Sequence, residues 1–281
     1  MTKKNNLDTN IFPTWCPGCG NLGIWSAIKK SINNLDVPKE RVVLVYGIGC
    51  SGNMASFVKT YGFHGVHGRG IPVAEGIKLA NHKLKVIVVG GDGDLLGEGL
   101  NHFVQASRAN HDVTVIIHNN QIYGLTTGQS SPTSLKETKS KSYPLGVTDE
   151  PINPIQLALT AGATHVSRGF SGDINQLTEL VGSSIDHEGF SVVDVLQPCV
   201  TFNKVNTYEW FRERVDKLEG PIEDRIEALK KAVWTNEKIF TGEFYKEEKS
   251  PFHARWPQID ERTLIQQTTN NDISQIMESL G

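Results

Sequence analysis

The chain has no strong charge of either sign, no long apolar run, no internal repeat and very little cysteine. Its 28 lysines and arginines stand against 31 aspartates and glutamates, a net charge of −3. That balance gives no reason to expect nucleic acid or an anionic membrane as a partner. No apolar stretch approaches the roughly 20 residues that a membrane-spanning helix needs. The opening residues, MTKKNNLDTNIFPTW, lack the apolar core of a signal peptide, so a cytoplasmic location is expected. The four cysteines are then expected as metal ligands or thiols rather than disulfides.

What is present points to an α/β protein. With 281 residues, 38% hydrophobic content and 27 glycines, the chain suits one large α/β domain with an extension, or two domains. The most informative stretch is residues 86–125. An apolar run there ends in Gly91-Asp92-Gly93, a helix-like segment follows, and a second apolar run ends in Asn119-Asn120. Both runs are short, rich in Val and Ile and flanked by turn residues, so they read as buried parallel strands.

The same alternation extends in both directions. Leu22, Trp25, Ile28 and Ile32 mark a helix face, and residues 41–52 read as a strand entering a glycine-rich turn. A helix is expected over 71–83 with Pro72 in its first turn, a strand over 85–90, a helix over 97–110 and a strand over 113–118. Residues 123–146 form a long polar loop of the kind that is usually functional or mobile. A helix near 151–162, a strand near 163–170, a helix with Ile174, Leu177, Leu180 and Val181 on one side, and a strand over 190–199 follow. The expected fold is a doubly wound, mostly parallel sheet over residues 1–204. Residues 205–281 read as a charged C-terminal arm with one amphipathic helix near 222–236, carrying Ile222, Ile226, Leu229 and Val233.

Four strands end in chemically unusual residues: Cys50, Asp92, Asn119-Asn120 and Cys199. Parallel strands put their carboxyl ends on one edge of the sheet, which is where ligands bind in open α/β folds, so these residues are expected to cluster. Asp92 offers a carboxylate, Asn120 a side-chain carbonyl and Ile122 a backbone carbonyl. That set could share Mg²⁺ with a diphosphate. Gly91 and Gly93 would let phosphate oxygens approach the backbone, and a helix starting near Gly97 would point N–H groups at them. An ordinary tight turn explains Gly-Asp-Gly alone, but not the Asn pair at the next strand end. Cys16-Pro-Gly-Cys19 pairs two thiols in a turn, with Cys50 and Cys199 as distant singles. Zinc, an iron–sulfur cluster, a redox-active Cys-x-x-Cys with two unrelated thiols, and four inert thiols all stay open on spacing. Arg69 could bind an anion or pair with an acid such as Glu75.

These residues resemble a known family. Gly91-Asp92-Gly93 followed by Asn119-Asn120 looks like the thiamine-diphosphate motif. WCPGCGN at 15–21, GIGCSG at 47–52, HGVHGRGIPVAEGIKLAN at 64–81, YGLTTGQSSPTS at 123–134 and QPCVTFN at 197–203 together resemble the β subunit of 2-oxoacid:ferredoxin oxidoreductases. The resemblance covers roughly residues 12–250. It implies that Cys16, Cys19, Cys50 and Cys199 hold a 4Fe–4S cluster, and that Asp92, Asn120 and the Ile122 carbonyl bind Mg²⁺. It implies thiamine diphosphate contacts at Ile48, Gly49, Cys50, Ser51, His67, Gly93, Asp94, Gly124 and Leu125. His67, in the glycine-flanked segment HGVHGRG, could be a catalytic base, a phosphate or pyrimidine contact, or a loop histidine with a structural hydrogen bond. The implied activity is oxidative decarboxylation of a 2-oxoacid, pyruvate or 2-oxoglutarate, to acyl-CoA and CO₂, with electrons passed through the cluster to ferredoxin. An α subunit is implied too, because the glutamate that activates the cofactor comes from a different domain. One departure stands out: family members often carry a lysine where this chain has Thr127, and that cation could pair with a substrate carboxylate. The alternatives from other classes are a cluster-free thiamine-diphosphate decarboxylase or synthase subunit and a non-catalytic iron–sulfur electron-transfer subunit.

Overall fold

The structure, a computed structural model, describes residues 5–235, 237–267 and 274–279. In chain order its strands are β1 (Val42–Tyr46), β2 (Tyr61–His64), β3 (Lys85–Gly91), β4 (Thr114–Asn119), β5 (Ile122–Tyr123), β6 (Gln129–Ser130), β7 (His165–Phe170), β8 (Ser191–Leu196), β9 (Val215–Lys217) and β10 (Ile239–Lys246). The main helices are α1 (Asn21–Asn34), α2 (Gly70–Ala80), α3 (Leu100–Ala109), α4 (Pro154–Ala161), α5 (Ile174–Asp186), α6 (Tyr208–Arg212) and α7 (Arg225–Lys231). An eight-stranded sheet runs β2-β1-β3-β4-β8-β7-β10-β9, and β5 and β6 form a separate small hairpin. β2, β1, β3, β4, β8 and β7 are mutually parallel, while β10 joins β7 antiparallel.

The central strands are Val- and Ile-rich because helices cover both of their faces. Successive side chains alternate across the sheet. Val42, Leu44 and Tyr46 of β1 pack with α1 and α5, whereas Val43 and Val45 pack with α2, α3 and α4. The helices start where the local chemistry allows it. The Asp173 carboxylate accepts from Gln176 N–H at the start of α5, and Asn153 Oδ1 accepts from Ile155 and Gln156 N–H at the start of α4, where Pro154 takes the first position.

Several sequence expectations shift. The buried face of α1 centres on Ile24, Ala27, Ile28 and Ile32, with Leu22 and Trp25 only partly covered. Ile174 likewise sits at the margin of the α5 face. The helix expected over 97–110 starts earlier, at Asp92, and opens with one wide π-turn in which Gly99 N–H donates to Asp94 O at 3.0 Å. Its N–H groups therefore begin beside Asp92, not at Gly97. The helix expected over 222–236 is shorter. Asp224 caps it by accepting from Ile226 and Glu227 N–H, and it buries Ala228 while Ile226 and Val233 stay exposed. Residue 236 lies outside the described residues, as do 268–273 and 280–281 of the stretch expected as an arm. Within that stretch β9 and β10 extend the main sheet, two strands that the sequence pattern did not reveal.

Candidate active site

Four neighbouring strands, β1, β3, β4 and β8, bring Cys50, Asp92, Asn120 and Cys199 to one edge. Register sets this arrangement: Tyr46 lies beside Val89, Gly91 beside His118 and Asn119 beside Leu196. A cavity opens at that edge. Ile48, Gly49, Cys50, Ser51, His67, Gly93, Asp94, Gly124 and Leu125 line it, together with Asp92, Asn120 and Ile122. Every residue expected to touch the cofactor or the cation is thus on one wall or another of a single cavity.

The two asparagines part company. Asn120 lines the cavity and its Oδ1 accepts from Ile122 N–H at 3.1 Å. Asn119, the last residue of β4, turns the other way and donates through Nδ2 to Asp194 Oδ1 at 2.9 Å. The chain leaves β4 after Asn119, and the two side chains meet different partners.

Asp92 is buried, and its Oδ2 accepts hydrogen bonds from the hydroxyls of Ser131 and Thr133. Burial pushes its carboxyl up to about 6 against the pull of those hydroxyls. A bound cation would reverse that penalty. Gly91 is open toward the cavity: a Cβ there would meet only Ser51 Oγ, at 3.8 Å. Gly93 is a glycine for a different reason from the one expected. Its Cβ would sit 2.4 Å from the Tyr123 ring, and the Tyr123 hydroxyl donates to Gly93 O at 3.3 Å.

Asp94 Oδ1 accepts from Gly68 N–H at 2.8 Å and from Ile48 N–H at 3.2 Å. Burial raises its carboxyl above the ordinary range, and those two N–H groups oppose the rise. His67 Nδ1 stands 2.9 Å from the same oxygen and 3.2 Å from Glu98 Oε2, at an angle unsuited to a hydrogen bond. Arg69 does not pair with Glu75. Its Nη1 donates to Glu98 O and meets His102 Nε2 at 3.1 Å, while Glu75 lies 3.4 Å from His111 Nε2.

All four cysteines are free thiols. The Cys16–Cys19 turn closes with Cys19 N–H donating to Cys16 O at 3.0 Å. Gly20 N–H reaches Pro198 O at 3.3 Å, and Trp15 Nε1 donates to Cys50 O at 2.6 Å, so the turn is tied to both other cysteine segments. A Cβ on Gly124 would lie 3.7 Å from both Cys50 Sγ and Cys199 Sγ, so both sulfurs lie close to the Gly124 backbone. Burial, with the nearby thiols of Cys199, Cys50 and Cys16, pushes Cys19 up to about 11. Among the described residues, no three His, Cys, Asp or Glu side chains stand close enough to share one metal ion. A multi-iron cluster spreads its thiolates over several irons, and four convergent thiols with no competing nitrogen or oxygen ligand suit that chemistry.

Residues 47–195 match the family described as thiamine pyrophosphate enzyme, C-terminal TPP binding domain. Residues 199–261 match the C-terminal region of the pyruvate ferredoxin oxidoreductase beta subunit. The β subunit of 2-oxoacid:ferredoxin oxidoreductase 1 from Aeropyrum pernix is 46% identical over 250 residues, which span 84% of this chain and 79% of that one. The β subunit of the 2-oxoacid:ferredoxin oxidoreductase of Saccharolobus solfataricus is 46% identical over 249 residues, 83% of this chain and 82% of that one. The chain belongs to the 2-oxoacid:ferredoxin oxidoreductase β-subunit family. Its fold agrees with that of the 2-oxoglutarate:ferredoxin oxidoreductase from Magnetococcus marinus, a structure with 2-oxoglutarate, coenzyme A and succinyl-CoA bound. The TM-score is 0.91 at 34% identity, covering 98% of this chain and 95% of that one.

For a β subunit of this family, Asn21, His118 and Tyr123 are among the cavity residues that the sequence reading did not single out. Asn21 and His118 meet at 2.7 Å (Oδ1 to Nδ1), and Tyr123 closes the Gly93 side. Burial pushes His118 down to about 3, so it stays neutral. Asn21 Nδ2 and Ser51 Oγ are buried without protein partners, a polar pair that a polar ligand in the cavity would satisfy. No periodicity marks these residues. They come from a helix start and a strand interior that meet only in the fold. The Thr127 position also gains something from the fold: the Lys141 ammonium donates to the Thr127 hydroxyl from 14 residues further along the loop.

Proposed function

We propose that this chain is the catalytic β subunit of an enzyme that oxidatively decarboxylates a 2-oxoacid to acyl-CoA and CO₂, passing electrons to ferredoxin. The observation that carries the reading is the single cavity at the sheet edge. Asp92, Asn120 and Ile122 line it as an oxygen donor set, and the Cys50 and Cys199 sulfurs stand directly behind Gly124. In this reading Asp92, Asn120 and the Ile122 carbonyl hold Mg²⁺ against the diphosphate of thiamine diphosphate, and Cys16, Cys19, Cys50 and Cys199 hold a 4Fe–4S cluster. The orphaned Asn21 and Ser51 atoms support a polar occupant of the cavity. When bound, the thiazolium ring supplies the electron sink for decarboxylation and the cluster a one-electron acceptor.

The chain's own groups do the rest. Ile48, Gly49, Cys50, Ser51, Gly93, Asp94, Gly124 and Leu125 form the contact surface for the cofactor. In this reading His67 is the residue that exchanges a proton, its Nδ1 2.9 Å from Asp94 Oδ1. Neutral His118 presents a hydrogen-bonding ring without adding charge. In this reading Lys141, whose ammonium donates to the Thr127 hydroxyl, is the cation on this loop available to a substrate carboxylate. An α subunit supplies the missing wall and the glutamate on the aminopyrimidine. The proposed location is the cytoplasm, and among the described residues no helix is long and apolar enough to cross a membrane.

The test is anaerobic co-expression with the α subunit, followed by dye reduction with pyruvate or 2-oxoglutarate. Activity should require coenzyme A, thiamine diphosphate and a divalent cation, and the protein should be brown with bound iron and sulfide. Iron-free protein that still decarboxylates would favour a cluster-free decarboxylase. Iron-loaded protein that binds no thiamine diphosphate would favour a simple electron-transfer subunit.

A further inference from the structure

Behind the cofactor cavity, a line of buried side chains connects Asp92 to an ion pair in the far half of the sheet. Arg168 on β7 and Asp194 on β8 are both fully buried, with Arg168 Nε donating to Asp194 Oδ2 at 3.0 Å. Arg168 Nη2 also donates to Asn153 Oδ1 at 3.1 Å. A guanidinium stays protonated inside proteins, so Asp194 faces it as an acceptor only. Its second oxygen, Oδ1, takes a hydrogen bond from Asn119 Nδ2 at 2.9 Å.

That contact decides which way the Asn119 amide points. The NH₂ end must face Asp194, because a carbonyl there would meet a carboxylate oxygen. The Asn119 carbonyl therefore faces Thr133, whose Oγ1 lies 2.9 Å from it. The Thr133 hydroxyl also reaches Asp92 Oδ2. It has one proton for two acceptors, and Ser131 Oγ supplies a second donor to the same Asp92 oxygen. Thr133, Asn119 and Asp92 are each at most 2% exposed. Ser134 Oγ anchors this loop to β4's exit by donating to Gln121 O at 2.6 Å.

We infer that Thr133 and Asn119, oriented by the Arg168–Asp194 pair, are positioning residues that hold the Asp92 carboxylate in place for the cofactor's divalent cation. The inference rests on the cation-binding role proposed for Asp92. The hydroxyls engage Oδ2, so the carboxylate cannot turn without breaking buried hydrogen bonds. Mg²⁺ demands near-ideal octahedral geometry, which a freely rotating carboxylate satisfies poorly. Hydrogen-bond partners of metal ligands are commonly worth about 10–100-fold in metal affinity.

The test uses the purified, cation-stripped αβ complex, saturating thiamine diphosphate, and Mn²⁺ binding followed by electron paramagnetic resonance. Thr133→Val keeps the shape and removes the hydroxyl, whereas Thr133→Ser keeps the hydroxyl. Thr133→Val is expected to weaken Mn²⁺ about 10–100-fold, and Thr133→Ser to stay near wild type. A melting temperature of Thr133→Val without cation close to that of wild type would exclude misfolding as the cause. Wild-type Mn²⁺ affinity in Thr133→Val overturns the inference. Tighter binding also overturns it, because the hydroxyls would then be competing with the cation. Wild-type complex that binds thiamine diphosphate without any divalent cation would instead overturn the underlying assignment of Asp92, and this inference with it.

Discussion

Gly47 is the position where a single methyl group should do the most damage to the site. It follows β1 directly, and its N–H is tied to Val89 O at 2.9 Å. A Cβ there would stand 1.7 Å from Asp94 Oδ2 and 2.7 Å from Asp94 Cγ. Asp94 cannot simply yield, because it is 2% exposed and its other oxygen is held by Ile48 and Gly68 N–H. In Gly47→Ala either the strand end is pushed back, at about 1–3 kcal/mol for overpacking, or Asp94 is expelled from two charge-assisted hydrogen bonds worth about 1.5–3 kcal/mol each. The expected loss is on the order of 3–5 kcal/mol, a large part of a domain's typical 5–15 kcal/mol. At about 2–4 °C per kcal/mol for a chain of this size class, melting of the cofactor-free αβ complex should fall by on the order of 10 °C. Thiamine diphosphate binding should weaken with it, because Asp94 lines the cavity. Gly76→Ala is the control. It lies exposed within α2, where a Cβ would meet nothing within 4 Å, and should be neutral or stabilising by about 0.5–1 kcal/mol. Scanning calorimetry of both variants decides the matter. A Gly47→Ala protein that melts and binds cofactor like wild type would refute the close approach of Asp94.

Burial, reinforced by His165 and Lys246, pushes His187 down to about 4. Its contribution to stability is therefore fully present above its ordinary value of about 6.5 and is lost as pH falls from there toward 4, at most about 3 kcal/mol. Melting temperature should decline across that window, and His187→Gln should decline less steeply; parallel curves for the two proteins would rule out this share. Cys199 does not line the cofactor cavity, whereas Cys50 does. Cys199→Ser should therefore lose iron and visible absorbance while still binding thiamine diphosphate, and Cys50→Ser should impair both. Full iron content in Cys199→Ser would remove Cys199 from the cluster's ligands.

The central strands were legible because burial on both faces leaves them no polar alternation. Val42–Tyr46, Val86–Val89, Val115–Ile117 and Val192–Val195 are apolar almost throughout, with Asp194 the exception that enters the buried ion pair. Parallel pairing then carried Cys50, Asp92, Asn120 and Cys199 to a common edge without further information. What stayed hidden has physical reasons of its own. β2 is exposed along its whole length and has no apolar run to announce it. β10 carries a glycine at φ 135° and a register shift between Glu243 and Tyr245, which break the period-two pattern. The π-turn at Asp94–Glu98 moved the helix start off its expected residue, because the turn is set by Asp94 folding back under Gly47 and Gly68. Motif spacing treats Asn119 and Asn120 as a unit, yet one meets Asp194 and the other lines the cavity. The run Gln129-Ser130-Ser131-Pro132-Thr133-Ser134 reads as a polar loop in any local window. Only the return of that loop across the ends of β3 and β4 turns two of its hydroxyls into hydrogen-bond donors for a buried carboxylate. Residues of a type unusual at a strand end, such as Cys50, Asn120 and Cys199, leave a local mark. Residues that position a ligand's partner leave none, since any hydroxyl arriving from any loop would serve.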